Sequence, residues 1–533
     1  MKKSNLRIWI FALYIVSIMI FLVPVLLIQD NSLRYNIQEK LIKSEKAFQL
    51  YTSNTWMVDG RAICNESDDQ KSPQICSDGA GGAIITWEDY RSEIDYDIYA
   101  QAVDSAGDLK WLVNGINVSE AKENQGSPRI CIDGAGGAII TWNDYRSGSN
   151  YDIYAQRIDS TGIAKWTVNG TPVCIAEGNQ QIPQICSDTM GGAIITWTDY
   201  NRYSPDYDIY IQRINSTGEL NWDINGTPIC TLSNSQWFPK ICGDGSGGAI
   251  ITWEDYRNGH GDIFAQKVNS TGDIQWVING TAICTENGDQ RKPQICSDGT
   301  GGAIITWVDN RTASYYDIYA QRINSNGVIL WDVNGTAICL VNREQKGPQI
   351  CSDGAGDAII TWEDNRSGTD WDVYAQKINS FGEIEWTSNG IDICTASNTQ
   401  WQPQICSNGM GGAVITWEDL RVGMYDIYAQ SIDSSGVIKW TFNGAPICTS
   451  FYNQYHPQIC YDGVDSAIIT WYDYRNGLNY DIYAQFTKFA IETPLNGNGE
   501  AISFGFCFLL FTMIGIIFII VIYKHQVLYK SKY

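Results

Sequence analysis

The stretch Pro73–Trp87, PQICSDGAGGAIITW, returns at Pro128–Trp142 as PRICIDGAGGAIITW and then six more times along a chain of 533 residues. Its closing tryptophans are Trp87, Trp142, Trp197, Trp253, Trp307, Trp362, Trp417 and Trp471, with gaps of 55, 55, 56, 54, 55, 55 and 54 residues. A period this regular denotes one supersecondary unit stacked on copies of itself. Each unit holds four short β-type runs and no helical period. Run A is PQIC. Run B, GGAIITW, is apolar on both faces, as suits a strand sandwiched between neighbouring sheets. Run C, DIYAQRI, alternates. Run D is W-x-V-N-G followed by T-P-I-C. The A–B turn (Asp78 to Gly82 in the first copy) is glycine-rich, and the C–D turn reads [DN]-S-x-G-x-x-x-W, as at Asp159, Ser160, Gly162 and Trp166.

Four antiparallel strands per unit and eight units describe an all-β, eight-bladed β-propeller of four-stranded blades. The ends of the repeat strengthen this expectation. The first element is a lone D run, Trp56–Cys64, and the last is a C run, Asp481–Phe486, with no D run after it. A ring gains from that offset, because the N-terminal strand completes the last blade. An open β-solenoid has no use for it.

The units resemble the tryptophan-containing repeats of uncharacterised bacterial and archaeal surface β-propeller proteins over essentially all of 55–487. The C–D turn is also loosely similar to the Asp-box hairpin of sialidases and the tryptophan-docking motif of quinoprotein propellers. The Asp-box order S-x-D-x-G-x-T-W is absent, and the quinoprotein motif carries one more residue between its Asp and Gly. These resemblances imply a propeller and carry over no active site.

Both ends of the chain are apolar. Ile8–Ile28 follows a basic start (Lys2, Lys3, Arg7) and is long for a signal peptide, and Ile502–Tyr523 has no charge over 22 residues, enough to cross a bilayer as helix. Lys524, Lys530 and Lys532 follow, which by the positive-inside rule places that tail in the cytoplasm. The expected organisation is a signal peptide or N-terminal membrane anchor at 1–28, a spacer at 29–54, and the propeller at 55–487. A linker at 488–500, a transmembrane helix at 501–523 and a cytoplasmic tail at 524–533 complete it. Localisation is then the cell membrane, with the propeller extracellular. Acidic residues outnumber basic ones 59 to 36, which speaks against nucleic acid as a partner.

Fourteen cysteines form seven C-x11-C pairs: Cys64/Cys76, Cys174/Cys186, Cys230/Cys242, Cys284/Cys296, Cys339/Cys351, Cys394/Cys406 and Cys448/Cys460. In an exported domain such recurrence is expected to mean disulfides, the alternative being that Cys fills a small apolar site in each repeat. Ser119 faces Cys131 in the eighth pair, leaving Cys131 as the expected free thiol. Ten N-x-S/T sequons suit a glycoprotein.

For chemistry, the recurring W-x-D-x-R followed by D-I-Y (Asp89, Arg91 and Asp97 in the first copy) offers carboxylates beside Arg. It recurs in nearly every unit, so it is expected to build blades, not to catalyse. No nucleophile elbow, phosphate loop, dinucleotide fingerprint or zinc motif occurs. No metal site or cofactor is expected. The turns at Ser77–Gly82 supply one carboxylate apiece, so calcium has only a weak signal. Variation between copies is more informative. The A–B and C–D turns barely change, whereas the D–A crossovers and B–C loops, which alternation places on the opposite face, change every time. Bulky rings fall there: Trp237, Phe238, Trp401, Tyr452, Tyr455 and His456, the candidate ligand-binding residues. The expected function is a non-catalytic ligand-, glycan- or protein-binding or adhesion module working through its variable face. The alternatives are an extracellular glycan-active hydrolase or lyase and a structural cell-surface component.

Overall fold

Each repeat folds into one blade. In blade 1, strands A (Gln70–Ser77), B (Ala83–Asp89), C (Asp97–Val103) and D (Ile116–Ser119) lie side by side, antiparallel throughout. The computed structural model describes residues 56–488 except 201, 203 and 204, and these residues form 32 strands in eight such sheets. The expected anchor at 1–28, the spacer 29–54, the transmembrane helix 501–523 and the tail 524–533 lie outside the described residues, as does the linker from 489 onwards. The A strands of successive blades pack on one another around the ring, which puts A at the axis and D at the rim.

The ring closes as the offset predicts. Strand Arg61–Cys64 becomes the D strand of blade 8, with Arg61 opposite Ala484 on strand Asp481–Lys488. Blade 8 is tied on to blade 1 where Gln70 N donates to Tyr480 O (2.8 Å) and Tyr480 N to Asp69 Oδ1 (3.1 Å). Trp56 stacks on Phe486 (6.0 Å), so both described ends leave the ring together, on the face of the uniform A–B and C–D turns.

The repeated tryptophans are the largest fully buried side chains. Trp87 Nε1 donates to Asp89 Oδ2 (2.7 Å), and Arg91 Nη2 donates to the same oxygen (2.6 Å) and to Asn114 O (2.9 Å). The guanidinium lies 3.7 Å from the centre of the Tyr99 ring. One carboxylate therefore binds strands B, C and D of a blade together, and equivalents such as Asp144–Arg146 and Asp419–Arg421 do so elsewhere. The W-x-D-x-R pattern is scaffold.

The cysteines correct the sequence reading. All fifteen described cysteines are free thiols, and none of the seven expected C-x11-C disulfides is formed. The reason is topological. The first Cys of each pair ends a D strand at the rim of one blade, and the second lies on the axial A strand of the next. Three strand spacings of roughly 4.8 Å separate those edges, about 14 Å in all, beyond the ~6.8 Å that a disulfide allows between Cα atoms. Each rim thiol instead caps the next blade's Asp–Arg pair. Arg91 Nη2 reaches Cys64 Sγ at 3.2 Å and Arg421 Nη2 reaches Cys394 Sγ at 3.2 Å. Ser119 fills this role opposite Arg146 (3.4 Å), which explains the broken pair. Cys131 is a free thiol like the rest and belongs to an axial ring with Cys76 and Cys186.

Candidate functional site

The variable face is built where each A strand enters. All eight A strands carry a bulge at one position: Ser72, Ser127, Ile182, Phe238, Lys292, Gly347, Gln402 and His456, each preceding proline, with φ between 51° and 60°. Left-handed backbone is costly for residues other than Gly, so the surrounding structure must hold it. In four blades the holder is a glutamate of the preceding blade. Glu88 Oε1 accepts from Ser127 N (2.6 Å), Glu254 Oε1 from Lys292 N (2.7 Å), Glu363 Oε1 from Gln402 N (2.9 Å) and Glu418 Oε1 from His456 N (2.7 Å).

These four carboxyls differ in their cations. Burial raises the pKa of all four, but Glu88 has Arg129 and Lys71 nearby, Glu254 has Arg291 and Lys292, and Glu363 pairs with Lys346 at 3.4 Å. Glu418 has no cation among its influences. Burial, with repulsion from Glu363, pushes it up to about 7 against the pull of the His456 N–H. It holds a proton to neutral pH.

Around Glu418 lies a cleft of about 350 Å³ between blades 7 and 8, lined by Trp401, Gln402, Tyr425, Tyr455, His456, Tyr472 and Tyr480. His456 stacks on Tyr472 (5.3 Å between ring centres), and Tyr472 meets Tyr480 edge to face at 5.0 Å. Tyr455 touches Tyr425 (5.3 Å) and Tyr472 (5.7 Å). The belt continues to blade 6, where Trp371 packs on Trp401 (6.3 Å) and Lys346 Nζ sits 3.8 Å and 4.1 Å from those two ring centres. Protein packed against the ring of His456, a residue that stays exposed, lowers its pKa.

Of the six rings singled out from sequence, Trp401, Tyr455 and His456 share this cleft. Tyr452 packs edge-on against Tyr474 (6.0 Å, 79°) and does not line it. Trp237 and Phe238 border a separate cavity of about 510 Å³ with Tyr256 and Asp206, where Trp237 lies 3.8 Å from Tyr207. In four blades the A-strand residue just before the bulge covers the B–C tyrosine or tryptophan of the preceding blade. Trp237 covers Tyr207, Trp401 covers Trp371, Tyr455 covers Tyr425, and Lys71 covers Tyr480 (5.0 Å). Sequence reasoning missed Glu418, Tyr425, Tyr472 and Tyr480. Tyr472 was detectable, since it stands where other copies have Glu, Asn, Thr or Val. Tyr425 and Tyr480 were hidden because nearly every copy has an aromatic there.

No protein-family model matches the chain, and no curated protein matches it. Among solved structures it is similar to a protein of unknown function from Dyadobacter fermentans (8% identity over 81% of this chain and 98% of that one, TM-score 0.40). An ulvan lyase of a new polysaccharide-lyase family is also similar (11%, 70% and 97%, TM-score 0.43), as is an α-L-arabinanase from Penicillium chrysogenum (14%, 58% and 93%, TM-score 0.34). At these values the likenesses carry no inference about activity.

Proposed function

We propose that this propeller is a carbohydrate-recognition module whose ligand lies across the variable face, in the cleft between blades 7 and 8. The observation that carries the reading is the concentration of partly or fully exposed rings there, around two polar groups, Gln402 and Glu418. A flat ring offers an apolar surface to the C–H face of a sugar. An amide and a protonated carboxyl beside it supply donors and acceptors for the hydroxyls. The rings are also preorganised by packing on one another, which limits the entropy lost on binding. On this reading the terminal apolar segments anchor the chain to the membrane. The ends leave the uniform face together, so the variable face is turned outward. A glycan array probed with the purified protein tests the proposal. Binding should occur, and Trp401→Ala and Tyr455→Ala should each weaken it at least tenfold while leaving thermal stability near that of the parent. Absence of any binding sugar, or equal binding by both variants, overturns it.

A second reading has its own observation. Glu418, free of cations and titrating near 7 beside the imidazole of His456 and Tyr472, has the properties of a general acid or base acting on a bound glycan. Release of reducing ends or unsaturated products from the array-positive glycan, abolished by Glu418→Gln with binding retained, would favour this reading. Retained turnover in that variant would sink it.

A further inference from the structure

The second residue after the bulge in each A strand stands opposite the threonine of strand B in the same register in all eight blades. Six copies place glutamine there: Gln74, Gln184, Gln294, Gln349, Gln404 and Gln458. Blade 2 has Arg129 and blade 4 has Lys240. These positions lie on the axial strands, so the exceptions set two cations in the central channel of a protein with net charge −23. Gln74 and Gln184 turn their amides back on to the preceding proline carbonyl (2.9 and 2.8 Å), and Arg129 Nη1 does likewise (2.8 Å to Pro128 O). That leaves most of the guanidinium's donors directed elsewhere.

We propose that Arg129 and Lys240 form an oxyanion site in the channel, one that takes a sulfate or carboxylate group. Neither makes an ion pair within 4.0 Å among the described residues. Glu88, the acid that acts on Arg129, already accepts from Ser127 N and Ser72 Oγ. Two like charges on axial strands of one channel, neither with an ion-pair partner, repel one another, which favours an anion beside them. Lys240 is partly buried, and that burial together with repulsion from Arg129 pushes its pKa down to about 8. Both residues nevertheless keep some accessible surface, so a small ion reaches them from the channel. A planar or tetrahedral oxyanion between a guanidinium and an ammonium satisfies both through charge-assisted hydrogen bonds. The inference is independent of the aromatic cleft.

The test follows the thermal unfolding of the detergent-solubilised full chain in sodium sulfate against sodium chloride at equal ionic strength, and in sodium glucuronate against glucose. The variants are Arg129→Gln, Lys240→Gln and the pair together. Glutamine is the residue of the other six blades, so these variants should fold. The parent should gain about 3 °C at a hundredfold excess of oxyanion over Kd. The double variant should lose that gain and, without oxyanion, melt above the parent because the repulsion is gone. Trp401→Ala should leave the gain intact. A response to sulfate alone identifies a free inorganic ion, and one to glucuronate alone identifies a saccharide carboxylate. No response to either, or an equal response in the double variant, overturns the site.

Discussion

Gly115→Ala tests how tightly the repeated tryptophan fixes each blade. Gly115 has φ +87°, and a Cβ built on it would lie 2.5 Å from Trp87 Cη2, 2.8 Å from Cζ2 and 2.9 Å from Ala100 O. Trp87 is fully buried and cannot swing away. Two costs follow: about 1–2 kcal/mol for left-handed backbone and about 1–3 kcal/mol for overpacking. Gly134 isolates the first, since it has φ +74° and nothing within 4 Å of its Cβ position. An unfolding entropy of about 2.1 cal/mol/K per residue over roughly 430 residues makes 1 kcal/mol worth about 1 °C in Tm. Gly115→Ala should therefore lower Tm by about 2–5 °C and Gly134→Ala by about 1–2 °C. Differential scanning calorimetry of the purified protein reads both. A Trp87→Phe background tests the steric part, because phenylalanine lacks the two clashing indole atoms and Gly115→Ala should then cost less, keeping only its backbone share and the contact with Ala100 O. Equal shifts for the two glycines, or the same Gly115→Ala penalty without the indole, would refute the packing argument.

Three further outcomes are expected. The aspartates at the start of the C strands, among them Asp97, Asp208, Asp372, Asp426 and Asp481, are raised to about 7 by burial and then by nearby carboxylates. A folded-state pKa above the unfolded value near 3.9 means that the native state binds more protons in between. The stabilisation is complete below about pH 4 and is lost as pH rises through 7. His456 works in the opposite sense but is one group against many. Tm should therefore climb from pH 8 to pH 5, and Asp426→Asn should raise Tm at pH 8 but not at pH 5; a Tm that falls towards pH 5 contradicts this. For the thiols, burial pushes Cys64, Cys230 and Cys394 up to about 12, so iodoacetamide should label them only after unfolding, and reductant should leave Tm unchanged. A reductant-induced drop of several degrees would reinstate the disulfides. Finally, Tyr455→Lys should bring a cation to Glu418 and move its titration below 7, followed as the carboxyl band of protein carrying carbon-13 glutamate in an infrared pH series. An unmoved band would show that burial alone sets that value.

The ring was legible in the sequence because every blade needs the same parts, and repetition displays such parts eight times. The displaced strand Trp56–Cys64 gave the closure for the same reason, since a missing D run in copy eight leaves an unpaired edge. Cysteine pairing was misread because a fixed spacing of twelve positions looks local. In this topology those twelve positions run from the rim of one blade to the axis of the next. The cleft was half legible. Trp401, Tyr455 and His456 stood out as bulky departures, but their partners come from B–C loops of other blades, a neighbourhood fixed by the ring and invisible along the chain. Left-handed backbone at residues such as Ile182 and Phe238 had no local signal beyond the following proline, which of itself favours extended backbone.

The electrostatics of the cleft follow from the same departures that shape it. A glutamate of this set feels two A-strand residues just before the bulge, one from its own blade and one from the next. Glu88 has Lys71 in its own blade, Glu254 has Arg291 in the next, and Glu363 has Lys346 in its own. Glu418 has Trp401 on one side and Tyr455 on the other. Placing aromatic rings at both positions does two things at once. It lays down stacking surfaces on adjacent blades, and it removes the cations that would have kept the carboxyl ionised. Had loop drift alone put these rings here, there would be no reason for both positions around one buried glutamate to change together while each of the other three glutamates keeps a cation. The coincidence supports the proposal that ligand is taken at blades 7 and 8, around a carboxyl whose pKa is raised to about 7.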